Sequence, residues 1–236
     1  MKKLKITNFP NISYAGQDAV NALCTNLSFS GVKVKKIMIT SSHASEGKTF
    51  LTMNIMRTMA KNGKKVAFID ADMRKSYITS EYGLQFEDSE HPYGLSHFLA
   101  GTAKPEDVVY ETDIDGAWMV PVGKTVSNPL PLLNSNQFRA LLDYLAANLD
   151  YVFIDAPPAG PVIDSSEIAK SCDGILIAVH YDNVSTKELT EIKKQLDQTG
   201  CPVLGAVLNR VEFDDFMSRK YYYKTKYSYY GQYTSE

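Results

Sequence analysis

The sequence predicts an α/β protein with a mostly parallel central sheet and helices on both faces. The chain has 236 residues, of which 44% are apolar, enough to bury one large core. Short apolar, β-branched runs alternate along the chain with stretches that have apolar residues at helical spacing. The apolar runs are continuous, as expected for strands that are covered on both faces of a parallel sheet.

The first part of the chain contains a helical segment, a strand, a loop and a second helix in succession. A helix is expected over residues 15–29. The run "VKKIMITS" predicts a strand at 34–41 because it is short, apolar and rich in β-branched residues. The stretch "KTFLTMNIMRTMAKN" predicts a helix at 48–62, which Gly63 ends.

The rest of the chain repeats this alternation and ends in a different composition. The runs "VAFID", "YVFID" and "GILIAVH" predict strands, and the predicted strands lie at 66–70, 118–122, 151–155, 174–180 and 203–211. Helices are expected at 137–149 and 186–198. Since no repeat or low-complexity linker interrupts this pattern, we predict one domain over 1–215 and a mobile, tyrosine-rich tail over 216–236.

Charge and cysteine content exclude several classes of protein. A formal net charge of -2 argues against a dedicated nucleic-acid binder. Three cysteines without CxxC spacing and four histidines without metal spacing suggest neither a disulfide framework nor a zinc site. The start is basic but has no apolar signal region, and no later apolar run approaches membrane-spanning length. We therefore expect a cytoplasmic protein that reaches a membrane only through a partner.

The first chemical motif is a phosphate loop between the predicted strand at 34–41 and the helix that follows it. Such a loop points backbone N–H groups at phosphates, and the helix N-terminus adds positive charge. The alternative is a surface turn before an ordinary helix. The motif consists of Ser42, His43, Ala44, Ser45, Glu46, Gly47, Lys48 and Thr49.

Aspartates follow two of the predicted strands. "VAFIDADMR" places Asp70, Asp72 and Arg74 after one strand, and "YVFIDAPP" places Asp155 at the end of another. Ligands of open parallel sheets bind at the carboxyl ends of the strands, so these side chains are expected to converge on the phosphate loop. The alternative is that each aspartate only caps a helix or stabilises a turn.

The tail concentrates phenol groups in a basic segment. Its tyrosines lack a sustained apolar period, so we do not expect them to form a folded core. A tyrosine-rich strand or a dimer contact is the alternative. The basic residues are Arg219, Lys220, Lys224 and Lys226, and the tyrosines are Tyr221, Tyr222, Tyr223, Tyr227, Tyr229, Tyr230 and Tyr233.

Taken together, "SSHASEGKT", "FIDADMR", "FIDAPP" and the tyrosine tail resemble the bacterial tyrosine kinases of capsular and exopolysaccharide synthesis. These are related to the ParA/MinD class of phosphate-loop ATPases, so the resemblance implies a phosphate-loop NTPase fold. It covers nearly the whole chain, including "GLSHFLAG" and "VGKTVSNPLPLL". It implies ATP and Mg²⁺ as cofactors and tail tyrosines that neighbouring molecules phosphorylate. It also implies a membrane-anchored polysaccharide co-polymerase as activator, which recruits the protein to the inner face of the plasma membrane, and a tyrosine phosphatase.

The resemblance also assigns roles to individual residues. Lys48 would stabilise the charge on the transferred phosphoryl group, and Asp70 would receive the tyrosine hydroxyl. Thr49, Asp72 and Asp155 would hold Mg²⁺. Asn209 lies at a strand end where this class recognises adenine, although it could equally cap a turn. Arg74 could contact phosphate or a neighbouring subunit, or form only a surface salt bridge. Asp164 could lie near the γ-phosphate or cap a helix.

The residues leave two other functions open. The sequence also differs from the patterns of the ParA/MinD class and of the kinases at individual positions. The alternatives are a ParA/MinD-like ATPase switch and a degenerate ATP-binding regulator without kinase activity. His43 stands where the ParA/MinD class has its signature lysine, which favours the tyrosine kinases over that class. Ser45 stands where the kinases usually have glycine. The kinases usually carry an N-terminal assembly motif, Glu-x-x-Arg-x-x-Arg. Here Asp18 stands at the glutamate position, and Asn21 and Cys24 stand in place of the two arginines. Ring assembly is therefore doubtful.

Overall fold

The computed structural model describes residues 2–87, 92–160, 163–181 and 183–211. The tail and its seven candidate acceptor tyrosines lie outside these residues. Within the described ranges, no helix is long and apolar enough to cross a membrane.

A single sheet of nine strands forms the centre of the described chain. The strands lie in the order β4-β1-β5-β6-β3-β7-β2-β8-β9. Only the pairs β1–β4 and β5–β6 are antiparallel among the described strands, so the sheet is mostly parallel, as predicted. The strands are β1 (Lys2–Ile6), β2 (Lys36–Ser41), β3 (Val66–Asp70), β4 (Leu84–Phe86), β5 (Tyr110–Thr112), β6 (Ala117–Val120), β7 (Tyr151–Asp155), β8 (Gly174–His180) and β9 (Val203–Asn209).

Helices cover both faces of this sheet. Alternate residues of β2 show the division: Met38 belongs to one buried apolar cluster, whereas Ile37 and Ile39 belong to the other. The first cluster includes α7 and α9, and the second includes α1 and α2. The helices are α1 (Tyr14–Ser28), α2 (Lys48–Lys61), α3 (Ile78–Glu81), α4 (Leu95–Leu99), α5 (Pro105–Val108), α6 (Leu130–Leu133), α7 (Asn136–Asn148), α8 (Asp164–Ala169) and α9 (Thr186–Asp197).

The strands predicted at 66–70, 151–155 and 174–180 have the predicted bounds, and the other predicted elements differ by one or two residues. The predicted strand at 34–41 starts later because the Val34 N–H donates to Gly31 in a turn. The strand at 203–211 ends at Asn209, after which Arg210 has a left-handed φ of 56°. The strands β1, β4 and β5 and five short helices were not predicted.

The helix α1 uses part of the predicted assembly motif for its own packing. Ser13 caps the helix by accepting a hydrogen bond from the Gly16 N–H. Cys24 is only 2% exposed, and its Sγ lies 4.0 Å from the Ile55 carbonyl oxygen of α2. Asn21 is exposed and accepts a hydrogen bond from Gln17. An arginine at position 24 would have to bury its guanidinium in the core, so this position serves packing.

Candidate functional site

The motifs meet at one edge of the sheet. The strands β3, β7, β2 and β8 are consecutive neighbours and parallel, so their carboxyl ends share that edge. A cavity of about 800 Å³ opens there. Of the predicted site residues, those that line it are Ala44, Ser45, Gly47, Lys48, Thr49, Asp70, Asp72, Asp155 and Asn209. The convergence expected from the sequence is therefore found in the structure.

The phosphate loop runs from the end of β2 to the start of α2 and is fixed by its own side chains. Glu46 is buried, and its Oε2 accepts hydrogen bonds from the N–H groups of Ser42 and His43 at 2.8 and 3.0 Å. Asn209 donates from Nδ2 to the Glu46 carbonyl oxygen at 2.9 Å. These contacts tie both the beginning of the loop and the end of β9 to Glu46. Ser42 and Glu46 thus shape the loop and do not line the cavity.

Glycine is required at position 47 for two reasons. Its φ is 84°, in the left-handed region that favours glycine. A Cβ at this position would lie 2.0 Å from the Asn209 Nδ2 atom. Gly47 is also the residue before α2, so its conformation turns the chain into the helix whose first residue is Lys48. The loop is therefore followed directly by a helix N-terminus, which attracts anions.

Ser45 also has a left-handed backbone, with φ at 63°. A residue with a Cβ pays a strain in this region that glycine does not. The departure from the family's glycine, noted from the sequence, thus falls on a position where the conformation favours glycine.

We expect Ser45→Gly to raise the free energy of unfolding by about 0.5 to 1 kcal/mol, because relief of the strain exceeds the entropy cost of glycine. Urea denaturation followed by circular dichroism measures this change. The control is Ser80→Gly, since Ser80 lies in α3 and a glycine there should destabilise by up to about 1 kcal/mol. Equal losses in both variants would contradict the strain at Ser45.

His43 lies away from the cavity and contacts a different helix. Its Nε2 lies 2.5 Å from the Glu188 Oε1 in the first turn of α9. The side chain is half exposed. This position, where the related ATPases carry a signature lysine, therefore contacts this chain's own α9.

The carboxylates Asp70 and Asp155 lie side by side in the core. They are paired neighbours on β3 and β7, and they are 2% and 3% exposed. Burial raises the pKa of Asp155 to about 7, against the opposing effects of Lys48 and Thr49. Burial and then the neighbouring Asp155 raise the pKa of Asp70 well above its usual range. Removing two adjacent carboxylates from water costs free energy, which a bound cation would offset.

Asp155 has the features expected of a cation ligand. Its Oδ2 accepts a hydrogen bond from the Thr49 hydroxyl at 2.6 Å, and its buried Oδ1 has no hydrogen-bond partner among the described residues. Burial raises the pKa of Asp72, while Lys48 opposes this rise. No group of three or more His, Cys, Asp or Glu side chains is arranged to hold a metal ion within the described ranges. The Thr49 hydroxyl and the carboxylates of Asp72 and Asp155 are nevertheless oxygen donors that fit Mg²⁺, which is commonly held by one or two carboxylates together with substrate phosphates.

Ser76 is one of the polar residues of this cavity that sequence reasoning missed. The Ser76 hydroxyl donates a hydrogen bond to the Asp70 Oδ2 atom, and Ser76 lines the same cavity. The other oxygen of Asp70, Oδ1, accepts from the Asp72 N–H at 3.2 Å. The only sequence signal was the position of Ser76 shortly after the Asp-x-Asp-x-Arg motif. A serine in that position is otherwise typical of a turn.

Arg74 joins three segments around the site. It donates from Nε and Nη2 to the carboxylate of the buried Asp164, at 2.5 and 3.1 Å. Its Nη1 donates to the Ser127 carbonyl oxygen at 2.8 Å. The structure thus shows an ion pair for Arg74, as one alternative expected, but its partner is buried and does not lie at the surface. Asp164 is the first residue of α8 and not its N-cap, which is Ile163.

Comparisons with known proteins agree on this fold and this set of motifs. A protein-family model described as an AAA domain matches residues 34–200. The chain is 36% identical over 217 residues to the tyrosine-protein kinase CpsD of Streptococcus pneumoniae, covering 92% of this chain and 91% of that protein. It is 31% identical over 201 residues to the putative tyrosine-protein kinase CapB of Staphylococcus aureus, covering 84% and 86%.

Solved structures of other proteins share the fold of this chain. The kinase domain of the Escherichia coli tyrosine kinase ETK superposes with a TM-score of 0.78 at 28% identity, covering 87% of this chain and 84% of that one. The septum site-determining protein MinD of Pyrococcus horikoshii superposes with a TM-score of 0.61 at 22% identity, covering 76% and 72%. The second match extends the likeness in fold to a phosphate-loop ATPase.

Proposed function

The chain belongs to the bacterial tyrosine-protein kinases, and from that premise we propose that it transfers the γ-phosphoryl group of ATP to the tyrosines of its own tail, between molecules. The observation that carries this proposal is the meeting of Lys48, Thr49, Asp70 and Asp155 in one cavity at the carboxyl edge of the sheet. The chain is a nucleotide-binding kinase of phosphate-loop fold.

Each residue has a role that follows from its position. Lys48 and the N–H groups at the start of α2 bind the phosphates and stabilise the charge of the transferred group. Asn209 recognises the adenine, a role that its position against Gly47 of the phosphate loop supports. Asp70 orients the tyrosine hydroxyl and accepts its proton. A modest base suffices because phosphoryl transfer depends mostly on positioning and charge neutralisation.

Thr49, Asp72 and Asp155 would hold Mg²⁺. When bound, the ion would neutralise negative charge on the phosphate oxygens. These three side chains supply a hydroxyl and two carboxylates, and the hydrogen bond between Thr49 and Asp155 already orders two of them.

The acceptors and partners proposed from the sequence complete this function. The tyrosines are those of the tail, from Tyr221 to Tyr233. A membrane-anchored polysaccharide co-polymerase would activate the kinase, recruit it to the inner face of the plasma membrane and concentrate it there. The kinase would in turn regulate capsular and exopolysaccharide polymerisation and export. A tyrosine phosphatase would reverse the modification. Because Cys24 packs in the core and Asn21 carries no charge, the free protein is expected to associate only weakly.

Transfer between molecules can be tested by separating the catalyst from the acceptor. One chain carries Lys48→Met and an intact tail, and the other has an intact site and phenylalanine in place of all seven tail tyrosines. With Mg-ATP, the first chain should acquire phosphotyrosine at a rate that rises with the concentration of the second, because transfer requires an encounter. Mass spectrometry locates the phosphate.

The controls for this experiment also decide between the other functions. If the wild-type protein acquires phosphotyrosine but the mixture of the two variants does not, the transfer occurs within one molecule. Release of phosphate without labelled protein would indicate an ATPase switch, and nucleotide binding alone would indicate a degenerate regulator. Light scattering of the unmodified protein reports its assembly, and a stable ring in dilute solution would contradict weak association.

A further inference from the structure

Asp70, the proposed base, lines the cavity but exposes very little of its surface there. Its side chain is 2% exposed and lies beside Asp155 in the sheet. Both of its oxygens already accept a hydrogen bond, Oδ1 from the Asp72 N–H and Oδ2 from the Ser76 hydroxyl. An incoming phenol therefore has little of Asp70 to contact directly.

Ser76 is the more accessible partner of this pair. It is half-buried, lines the cavity and lies in the short connection between β3 and α3. A serine hydroxyl has one donor and two acceptor positions. The donor is used on Asp70, so the acceptor positions are open to a hydroxyl that enters the cavity.

The fold does not need the Ser76 hydroxyl to hold this connection in place. The Lys75 N–H donates both to the Asp72 carbonyl oxygen and to Asp72 Oδ1, each at 3.2 Å. Arg74, just before it, is fixed to Asp164 and Ser127. The backbone on which Ser76 sits is therefore held by other groups, and the hydroxyl is available for a chemical role.

We propose that Ser76 is a further catalytic residue, whose hydroxyl links the acceptor tyrosine to Asp70. The inference rests on the proposed function. The tyrosine hydroxyl donates to Ser76 Oγ, and Ser76 donates to Asp70 Oδ2. As the phenol oxygen forms its bond to the γ-phosphorus, the bond from that phosphorus to the ADP oxygen breaks. The phenol proton passes to Ser76 Oγ while the Ser76 proton passes to Asp70, and the leaving ADP keeps the electron pair.

The test compares Ser76→Ala, Ser76→Thr and the control Ser80→Ala in the full-length chain. Ser80 is an exposed serine of α3 whose hydroxyl donates to the Tyr77 carbonyl oxygen. The measurement is the rate of phosphotyrosine formation at saturating Mg-ATP, with the affinity for Mg-ADP measured separately. We expect Ser76→Ala to lower the rate about 100-fold, Ser76→Thr to retain most of it, and Ser80→Ala to leave it unchanged.

A proton inventory separates this role from a merely structural one. In mixtures of H₂O and D₂O, a plot of the wild-type rate against the deuterium fraction should be curved, as expected when two protons move in the transition state. The same plot for Ser76→Ala should be a straight line, as expected for one proton. A normal rate in Ser76→Ala, equal losses in the alanine and threonine variants, or a one-proton dependence in the wild type would each overturn the proposal. A wild-type chain that binds nucleotide but forms no phosphotyrosine would refute the proposed function itself, which is a different result.

Discussion

Replacing Lys48 with methionine is expected to lower the rate of tail phosphorylation by about 100- to 1,000-fold, the loss typical when a charge-stabilising group is removed. Lys48 is the first residue of α2, is 8% exposed and lines the cavity beside Thr49 and Asp155. Methionine matches the length and apolar stem of lysine, so the helix should persist while the positive charge is lost. Nucleotide affinity should also fall, because the phosphates lose a charge-assisted hydrogen bond.

The control for this substitution is Lys64→Met. Lys64 is exposed and precedes β3, at the opposite edge of the sheet from the cavity. The variants are compared by labelling of the tail, by binding of a fluorescent nucleotide and by thermal unfolding. Full labelling by the Lys48→Met chain would show that the transfer site lies elsewhere.

The aspartates at 70 and 72 are expected to respond differently to the loss of charge. Asp72→Asn should raise the Mg²⁺ concentration needed for half-maximal activity by about tenfold, because one anionic oxygen ligand becomes neutral. Asp70→Asn should lower the transfer rate by about 100-fold with little change in the Mg²⁺ requirement, since it removes the base and not a ligand.

A Mg²⁺ titration of the labelling rate measures both effects in the same assay. Asp115→Asn is the control, because Asp115 is an exposed carboxylate in the connection between β5 and β6. If excess Mg²⁺ restored the two site variants equally, the division of roles between base and ligand would be wrong.

The sequence was informative where local pattern and chemistry coincide. The strands β3, β7 and β8 are fully buried or nearly so, and their continuous apolar runs gave the right bounds. The phosphate loop was found because its spacing is local, and Asp70 and Asp155 because each ends such a strand. The convergence of the loop and the two aspartates could be predicted because the carboxyl ends of parallel strands lie at a common edge of the sheet.

Elements and contacts that depend on distant partners were not predictable in this way. The strand β1, "KKLKI", has only two apolar inward residues and is stabilised by pairing with β4 and β5, whose own runs are three residues long. The pair of Arg74 and Asp164 joins residues 90 positions apart. The contact of Ser76 with Asp70 depends on how the connection folds back over the strand end, which no periodicity encodes.

The three contacts of Arg74 join the start of α8 to the segment that carries Asp72. Asp72 lies two residues before Arg74, which is bound to Asp164 at the start of α8. Displacement of α8 would therefore break the ion pair that holds the segment after β3 against it. The position of Asp72 in the cavity thus depends on a helix that lies nearly a hundred residues later in the chain.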